Sequence, residues 1–506
     1  GTDDGLIQIT EDAGQNWRTV DGNSLPGAPQ QSYVNAVLAS QHDVNTIYAI
    51  LNHHKYGDFK PYVYKSTDKG MSWTSISSNL PERGSAYTIA EDHVDAGLLF
   101  VGTEFSCFFT KDGGAYWKKI GGLPTIAIRD IAIQKRENDL VLASFGRGFY
   151  VLDDYSPLRE MTEENLANEA AIFPIKPGLM YIESAPLGWS AVGFQGHDFY
   201  VAKNPPIGAT FTYFVKDKIK TLKAQRQEAE RKAIKDSTEI RYPTYEEYVA
   251  ELEEEAPYLE FIIKDAAGTI VRKLKTSYKT GVNRLTWSGR MVDLSPASTR
   301  RDPSDGMMAM PGAYSVTLFR HHNGDTKQLT EPESFELKIL EGATLPAENQ
   351  AELAAFSKET ANFQRVYSGA TSMLSSAGEK VSAMERAIMA LPEPSAEWLG
   401  EVKKIKNTIA DIRKTIYGDR RASTLDIDTE PGLSSRMRGV SYALYGTTSA
   451  PTKTMRNELK LAKEAFGPVY QEIKNLVQND IKAMEQKLEA AGAPYTPGRM
   501  MEYGKN

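Results

Sequence analysis

The sequence predicts a multidomain protein in which all-β propeller blades come first, a β-sandwich interrupted by a helical hairpin follows, and an all-α helical bundle comes last. Three observations predict this order. A nine-residue motif occurs three times before residue 120, strand-like runs separated by turns continue to about residue 342, and apolar residues then recur at helical spacing. At 506 residues the chain is long enough for several domains of ~150 residues each.

The repeated motif occurs as ITEDAGQNW, KSTDKGMSW and FTKDGGAYW. Each copy has a hydroxyl residue, an aspartate, a glycine and a tryptophan at fixed spacing: Thr10, Asp12, Gly14 and Trp17; Ser66, Asp68, Gly70 and Trp73; Thr110, Asp112, Gly114 and Trp117. The tryptophans are 56 residues (17 to 73) and 44 residues (73 to 117) apart, close to one four-stranded blade each. Strand-like runs flank each copy, which predicts a hairpin turn. We expect structural roles: the aspartate bonds to backbone amides, the glycine takes a positive φ, and the tryptophan packs beneath the turn.

The S/T-x-D-x-G-x-x-W pattern resembles the Asp-box, or BNR repeat, of sialidases, sortilin-like Vps10 domains and many bacterial cell-envelope proteins. The segments HHKYGDFKPYVYKSTDKG and GRGFYVLDDYSPL resemble the bacterial sortilin-like group, whose members are often labelled glycosyl hydrolases by similarity alone. The resemblance implies that the boxes lie on the outer rim of the blades and mark architecture. It also implies a secreted or envelope-exposed bacterial protein.

Residues 1–157 provide sequence for three to four blades, whereas closed propellers usually need more. An open fan would expose two sheet edges. We therefore expect these blades to be the carboxy-terminal portion of a larger propeller.

Residues 158–203 form a connecting segment that is rich in glycine, proline and aromatic residues. From 204 to 342, short strand-like runs alternate with turn signals at the spacing of an antiparallel sandwich, which predicts that Trp287 lies in a core. The order of these runs resembles the immunoglobulin-like or fibronectin-type module that follows such propellers in bacterial surface proteins.

The sandwich is interrupted at about 216–257 by a charged segment that predicts two solvated helices. Thr244 and Glu247 have the spacing of a capping box for the second helix. The first arm is basic and the second acidic, so we expect them to pair as a hairpin. This hairpin is either a solvated protrusion or a docking arm for another protein.

Residues 343–506 predict a helical bundle. Three runs, within 353–388, 402–416 and 455–488, have apolar residues at three-and-four spacing, which is typical of helices with one buried face. A short helix and a loop are expected between the second run and the third. An apolar stripe wider than the bundle covers would indicate a homodimer.

The composition excludes some classes of partner. The net charge is −7, and lysine and arginine are interleaved with acidic residues, which argues against nucleic acid. No apolar run approaches the ~18 residues that would span a bilayer. Cys107 is the single cysteine and lies among apolar residues, so we expect a buried thiol and no internal disulfide.

Candidate site residues follow from the chemistry of sialidases, which use Asp-box propellers. Such an enzyme needs arginines that grip a carboxylate, a Tyr–Glu pair and an acidic proton donor on inner strands. The weak binding candidates are Arg129, Arg147, Tyr150 and Glu104. No catalytic residue is assigned. Adjacent Asp153 and Asp154 face opposite ways on a strand and are expected to tie down the exit turn.

No metal site and no cofactor are predicted. His53 and His54, like His321 and His322, are adjacent, and this spacing does not place two imidazoles on one face. The sequence has no P-loop, no GxSxG elbow and no HExxH motif.

The sequence therefore favours a non-catalytic binding or scaffold protein of the bacterial cell envelope or surface, whose propeller engages a protein, peptide or glycan. The first alternative is a sialidase-like glycoside hydrolase whose catalytic residues lie mainly on blades outside this sequence. The second alternative is an accessory subunit of a larger envelope complex.

Overall fold

A computed structural model describes residues 1–183, 202–299, 303–342 and 346–500. The chain divides into two compact units, Gly1–Pro174 and Ile175–Asn506. The division falls within the predicted connecting segment, of which residues 184–201 lie outside the described part.

The first unit contains four successive antiparallel sheets, which we call blades 1 to 4. Blade 1 consists of β1 (Leu6–Ile9) and β2 (Arg18–Asp21); blade 2 of β3 (Tyr33–Ala39), β4 (Ile47–His53), β5 (Asp58–Ser66) and β6 (Thr74–Ser75); blade 3 of β7 (Ala86–Glu91), β8 (Leu99–Thr103), β9 (Cys107–Thr110) and β10 (Lys118–Lys119); blade 4 of β11 (Ile128–Gln134), β12 (Asp139–Ser144) and β13 (Phe149–Leu152). The first strands of blades 2, 3 and 4 contact one another in sequence, as the inner strands of propeller blades do.

Separate apolar cores lie between consecutive blades. Ile7 and Trp73 belong to the core between blades 1 and 2, Trp117 to the core between blades 2 and 3, and Cys107 to the core between blades 3 and 4. The Cys107 thiol is fully buried, and burial raises its pKa, as expected for an inert core residue.

A buried carboxylate joins the end of this unit to blade 3. After blade 4 the chain forms α1 (Pro157–Glu160), α2 (Glu163–Ala167) and β14 (Ala170–Ile172). Asp92 accepts hydrogen bonds from Arg159 Nε at 2.8 Å and Arg159 Nη2 at 2.7 Å, and from the Tyr155 hydroxyl. Burial opposes ionisation, but these bonds outweigh it and lower the pKa of Asp92 to about 2. Asp154, predicted to act at this turn, accepts a bond from the Ser156 hydroxyl at 2.6 Å.

The β-structure of the second unit contains ten strands in the described residues. They are β15 (Gly178–Met180), β16 (Ala209–Val215), β17 (Tyr258–Asp265), β18 (Ile270–Ser277), β19 (Gly281–Trp287), β20 (Arg290–Val292), β21 (Asp305–Met308), β22 (Gly312–His322), β23 (Asp325–Gln328) and β24 (Glu333–Ile339). A six-stranded sheet has the order β15-β24-β22-β17-β18, with β23 paired to β22. Strand β16 pairs with β19, and β20 pairs with β21.

Aromatic side chains from the β16–β19 pair pack on the six-stranded sheet. The Trp287 ring lies 5.2 Å from that of Tyr314, and the Phe211 ring lies 5.3 Å from that of Phe335, measured between centroids. Trp287 is fully buried and donates from Nε1 to the Arg290 carbonyl at 2.8 Å, so it lies in a core as the sequence predicts. The assignment to an immunoglobulin-like or fibronectin-type module stays a prediction.

Two exposed helices lie between β16 and β17, α3 (Leu222–Lys235) and α4 (Tyr245–Glu253). Thr244 and Glu247 make both hydrogen bonds of a capping box. Arg226 on α3 donates to Glu251 on α4 at 2.6 and 3.0 Å, which joins the basic arm to the acidic arm. Neither helix has a buried residue, as expected for a solvated hairpin.

The carboxy-terminal helices are α5 (Gln350–Met389), α6 (Ala396–Tyr417), α7 (Arg420–Thr424), α8 (Leu433–Tyr445), α9 (Lys453–Asn475) and, after a π turn at Leu476–Asp480, α10 (Ile481–Ala490). The apolar faces of all three predicted runs contribute to one core. Helix α8 also enters this core through Leu433, Met437, Val440 and Leu444, although the sequence predicts only a short helix beside a loop there. The prediction of repeated β-sheets followed by a helical carboxy-terminal region is thus confirmed.

Candidate functional site

A β-bulge occurs at the same position in the first strand of blades 2, 3 and 4. The strand register shifts between Val34 and Ala36, between Ala86 and Thr88, and between Ile128 and Asp130. The unpaired residues at these shifts are Asn35, Tyr87 and Arg129. A bulge leaves one residue unpaired and redirects its side chain. Because the three bulges lie on neighbouring inner strands, they redirect three side chains in the same region of the unit.

Tyr87 contacts both other bulged residues, and two further side chains join the group. Asn35 Nδ2 donates to the Tyr87 carbonyl at 2.5 Å, and the Tyr87 hydroxyl donates to the Glu104 carboxylate. The Arg129 guanidinium lies 3.8 Å from the Tyr87 ring centroid and 5.2 Å from the Phe145 ring centroid. We call Asn35, Tyr87, Glu104, Arg129 and Phe145 the bulge cluster.

Arg129 is the exposed charge of this cluster. It has no ion-pair partner among the described residues, and two aromatic rings face its guanidinium. Each such cation–π contact contributes about 0.5–2 kcal/mol and holds the planar group in place. The N–H groups in the plane of the guanidinium are then donors for a carboxylate.

Tyr87, by contrast, is only 4% exposed. Burial, followed by the hydrogen bond to Glu104, raises its pKa. Burial also raises the pKa of Tyr33 on blade 2, and the Arg129 charge opposes that increase. The Tyr87 hydroxyl is therefore neutral at ordinary pH and committed to the Glu104 carboxylate.

Aromatic side chains lie exposed around the bulge cluster. Phe145 is 68% exposed, and Phe105, which follows Glu104, is also exposed. On blade 2, the Tyr33 hydroxyl lies 3.0 Å from His54 Nδ1, and Lys55 Nζ lies 5.0 Å from the Tyr33 ring centroid. Exposed aromatic rings beside cationic side chains are typical of surfaces that bind polypeptides.

Three buried polar atoms next to these residues have no hydrogen-bond partner within the described ranges. They are Asn52 Nδ2, His53 Nδ1 and Ser85 Oγ. Asn52 lies opposite Tyr33 in the β3–β4 register, and Ser85 comes just before β7. Unsatisfied buried groups are rare because each costs about 1–3 kcal/mol.

The structure brings two of the four sequence-predicted candidates together. Glu104 and Arg129 both contact Tyr87. Arg147 lies exposed in the turn between β12 and β13, and Tyr150 pairs opposite Leu142 and packs against the blade 4 core. Asn35, Tyr87 and Phe145 are not among the sequence-predicted candidates. Aligning the first strands of the blades would have placed Asn35, Tyr87 and Arg129 at one position.

The motif turns have a common hydrogen-bond pattern. In the second copy Ser66 Oγ donates to Asp68 Oδ1 at 2.8 Å and accepts from the Gly70 amide at 2.7 Å. Asp68 also accepts from the Ser72 hydroxyl and amide, and these bonds lower its pKa to about 2. The other two copies make the equivalent bonds: Thr10 and Thr110 donate from Oγ1 to Asp12 and Asp112, and accept from the Gly14 and Gly114 amides.

The three motif tryptophans differ in burial. Trp73 and Trp117 are 8% and 2% exposed and belong to different inter-blade cores, whereas Trp17 is 59% exposed. Trp117 Nε1 donates across to the Ile76 carbonyl at 2.7 Å, while Trp17 and Trp73 each donate to their own turn, at the Gly14 and Gly70 carbonyls. The expected packing beneath the turn therefore differs at Trp17, which no other blade covers in the described structure.

No group of three or more His, Cys, Asp or Glu side chains that could hold a metal ion occurs in the described ranges. His54 contacts Asn52 and Tyr33, His321 contacts Glu260, and His322 contacts Glu254. In the same ranges, every helix is too short or too polar to cross a bilayer.

Neither the family models nor the curated proteins include a match to this chain. Among solved structures, YCF48 bound to a D1 peptide is 20% identical over 29% of this chain and 45% of its own, with a TM-score of 0.24. The GH74 xyloglucanase from Xanthomonas campestris is 15% identical over 28% and 22% of the two chains, with a TM-score of 0.22. The extracellular domain of BT4673 from B. thetaiotaomicron is 10% identical over 67% and 36%, with a TM-score of 0.22. This chain spans less than half the length of each.

Proposed function

We propose that this protein is a non-catalytic binding or scaffold protein of the bacterial cell envelope or surface, and that the bulge cluster binds an acidic peptide segment of a partner protein. The observation that supports the proposal most is Arg129, an exposed guanidinium without an ion pair in the described residues and held between two aromatic rings. A carboxylate side chain would accept from its N–H groups, and Phe145 would pack on the neighbouring apolar part of the ligand.

The experiment is a selection of random twelve-residue peptides on the full chain, followed by affinity measurement with variants. We expect the selected peptides to contain acidic residues and to bind Arg129→Gln about ten- to a hundredfold more weakly, since a charge-assisted contact contributes about 1.5–3 kcal/mol. Arg136→Gln is the matched control, because Arg136 lies in the turn at the other end of β11 and is highly exposed. Equal affinity of the two variants, or selection of peptides without acidic residues, contradicts the proposal.

A glycoside hydrolase is the second candidate. It is favoured by one observation, the hydrogen bond between Tyr87 and Glu104 beside Arg129, since sialidases use a tyrosine with a carboxylate partner. It is opposed by the burial of Tyr87 and its raised pKa, because a nucleophilic hydroxyl must reach the substrate and lose its proton.

A panel of sialosides and other glycosides separates the two candidates. Turnover that is abolished in Glu104→Gln supports the hydrolase. Absence of turnover in the wild-type chain, together with peptide binding that depends on Arg129, supports the binding protein.

A further inference from the structure

A cationic groove lies in the helical bundle, well apart in sequence from the blades. Its volume is about 980 Å³, and it is lined by residues of α5, α6, α7 and α8. Six lining side chains are cationic and two are acidic: Lys406, Arg413, Lys414, Arg420, Arg421 and Arg438 against Asp411 and Asp419. This concentration of positive charge contrasts with the net charge of −7 for the whole chain.

The two lysines of the groove are already neutralised. Lys414 pairs with Asp419 at 2.8 Å, and Lys406 pairs with Glu385. The guanidinium groups of the four arginines make no ion pair or hydrogen bond to an acidic group within the described ranges, although the Arg421 backbone amide donates to Asp419. All four arginines are exposed, so solvent screens their mutual repulsion, and an anion in the groove would neutralise more than one of them.

Helix α8 adds further donors at the same place. It begins beside the groove at Gly432, whose backbone approaches that of Gly418 so closely that an added Cβ would lie 2.4 Å from the Gly418 amide nitrogen. No side chain caps this end of the helix, and Ser434 and Ser435 of its first turn line the groove. Uncapped amides and the helix dipole favour an anion beside them.

A glycine makes room for one of the arginines. Gly378 lies inside the 40-residue helix α5, where glycine is unfavourable, and it lines the groove. A Cβ at this position would lie 2.9 Å from an Nη2 atom of Arg413. Alanine at this position would therefore displace the Arg413 guanidinium.

We propose that this groove binds a ligand that carries a phosphate or diphosphate group. A phosphate group carries up to two negative charges and offers several acceptor oxygens, so it can bond to more than one guanidinium fork at once, together with serine hydroxyls and helix amides. A single carboxylate would leave most of the four arginines unneutralised. The groove is large enough to accommodate a phosphorylated small molecule or a phosphorylated lipid headgroup.

The experiment is a calorimetric titration of the full chain with inorganic pyrophosphate at low ionic strength. We expect saturable binding that weakens as salt rises, and about a tenfold or greater loss of affinity in Arg413→Gln. Lys403→Gln is the matched control, because Lys403 lies exposed on the same helix but does not line the groove, and the change in charge is the same.

Gly378→Ala distinguishes loss of the site from loss of the fold. Alanine favours the helix, so the Tm should stay the same or rise while pyrophosphate affinity falls. No binding by the wild-type chain overturns the proposal, as does an equal loss of affinity in Lys403→Gln or unchanged affinity in both Arg413→Gln and Gly378→Ala.

Vesicles then identify the source of the phosphate. Flotation with phosphatidate vesicles that pyrophosphate competes away would support a lipid headgroup as the ligand. Pyrophosphate binding without flotation would support a soluble phosphorylated ligand. Either result upholds the phosphate site.

Discussion

The buried pair of Asp92 and Arg159 predicts that Arg159→Met destabilises the first unit. The pKa of Asp92 falls from 3.8 to about 2, and each unit corresponds to 1.36 kcal/mol, so the ionised carboxylate stabilises the fold by roughly 2.5 kcal/mol. Removing one partner of a buried pair typically costs ~3–5 kcal/mol, because the remaining charge stays buried without compensation. We therefore expect Arg159→Met to lower the free energy of unfolding of the first unit by about 3 kcal/mol at pH 7.

The sign of the pH dependence is also determined. The folded-state pKa of Asp92 lies below its unfolded value, so its contribution is fully present above pH ~4 and is lost as pH falls from about 4 towards 2. In Arg159→Met, burial remains but the guanidinium is gone, so the carboxyl group is more readily protonated. The difference in stability between wild type and variant should therefore shrink below pH 4.

The assay is amide hydrogen exchange of the full chain, read by mass spectrometry on peptides from β8 and β12. A loss of 3 kcal/mol corresponds to about a hundredfold faster exchange. Helix α5 in the second unit is the internal reference. Glu11→Gln is the control variant, because Glu11 pairs with Lys69 at an exposed position where an ion pair contributes at most about 1 kcal/mol. Less than fivefold acceleration in Arg159→Met, or an equal effect in α5, would refute the reasoning.

Three further predictions concern the motif turns and the helical hairpin. Gly70→Ala and Gly14→Ala both place alanine at a positive φ, so each should lower the free energy of unfolding by about 1 kcal/mol. A Cβ at Gly70 would also lie 2.5 Å from the Ile9 side chain of blade 1. Urea unfolding should therefore show a loss that is ~1–3 kcal/mol larger for Gly70→Ala than for Gly14→Ala. Equal losses would argue against packing between the turn and the preceding blade. Trp73→Ala should lower the free energy of unfolding by about 3–5 kcal/mol and Trp17→Ala by less than about 1 kcal/mol, since only Trp73 is buried. Similar melting temperatures of the two variants would contradict this. Thr244→Ala should remove about 1 kcal/mol of helix stability and accelerate exchange in α4 alone, and unchanged exchange there would show that the capping box is dispensable.

Features that depend on near neighbours in the chain could be predicted from the sequence. The capping box at Thr244 spans three residues, and the motif turns are closed by bonds that span two to four residues. The helical runs could be predicted too, because an apolar face of period 3.6 requires no knowledge of the partner helix. Helix α8 was the weaker prediction, since a thirteen-residue helix between loops gives a shorter periodic signal.

The candidate site was predictable only in part. Residue chemistry predicts Arg129 and Glu104 as candidates but does not predict Tyr87, which contacts both. Its contacts depend on a bulge, and a bulge is a property of strand register that a single strand does not reveal.

The sequence by itself determined the motif turns, the order of β and α regions and the buried face of each long helix, because these depend on interactions within a few residues or on periodicity. Only the tertiary structure decided which motif tryptophan is covered, since Trp17 and Trp73 occur in the same local pattern and differ in whether another blade packs on them. It also decided that Asn35, Tyr87 and Arg129 meet, and that four arginines from α6, α7 and α8 line one groove. Contacts between residues distant in the chain depend on how the sheets and helices pack, which no local pattern specifies.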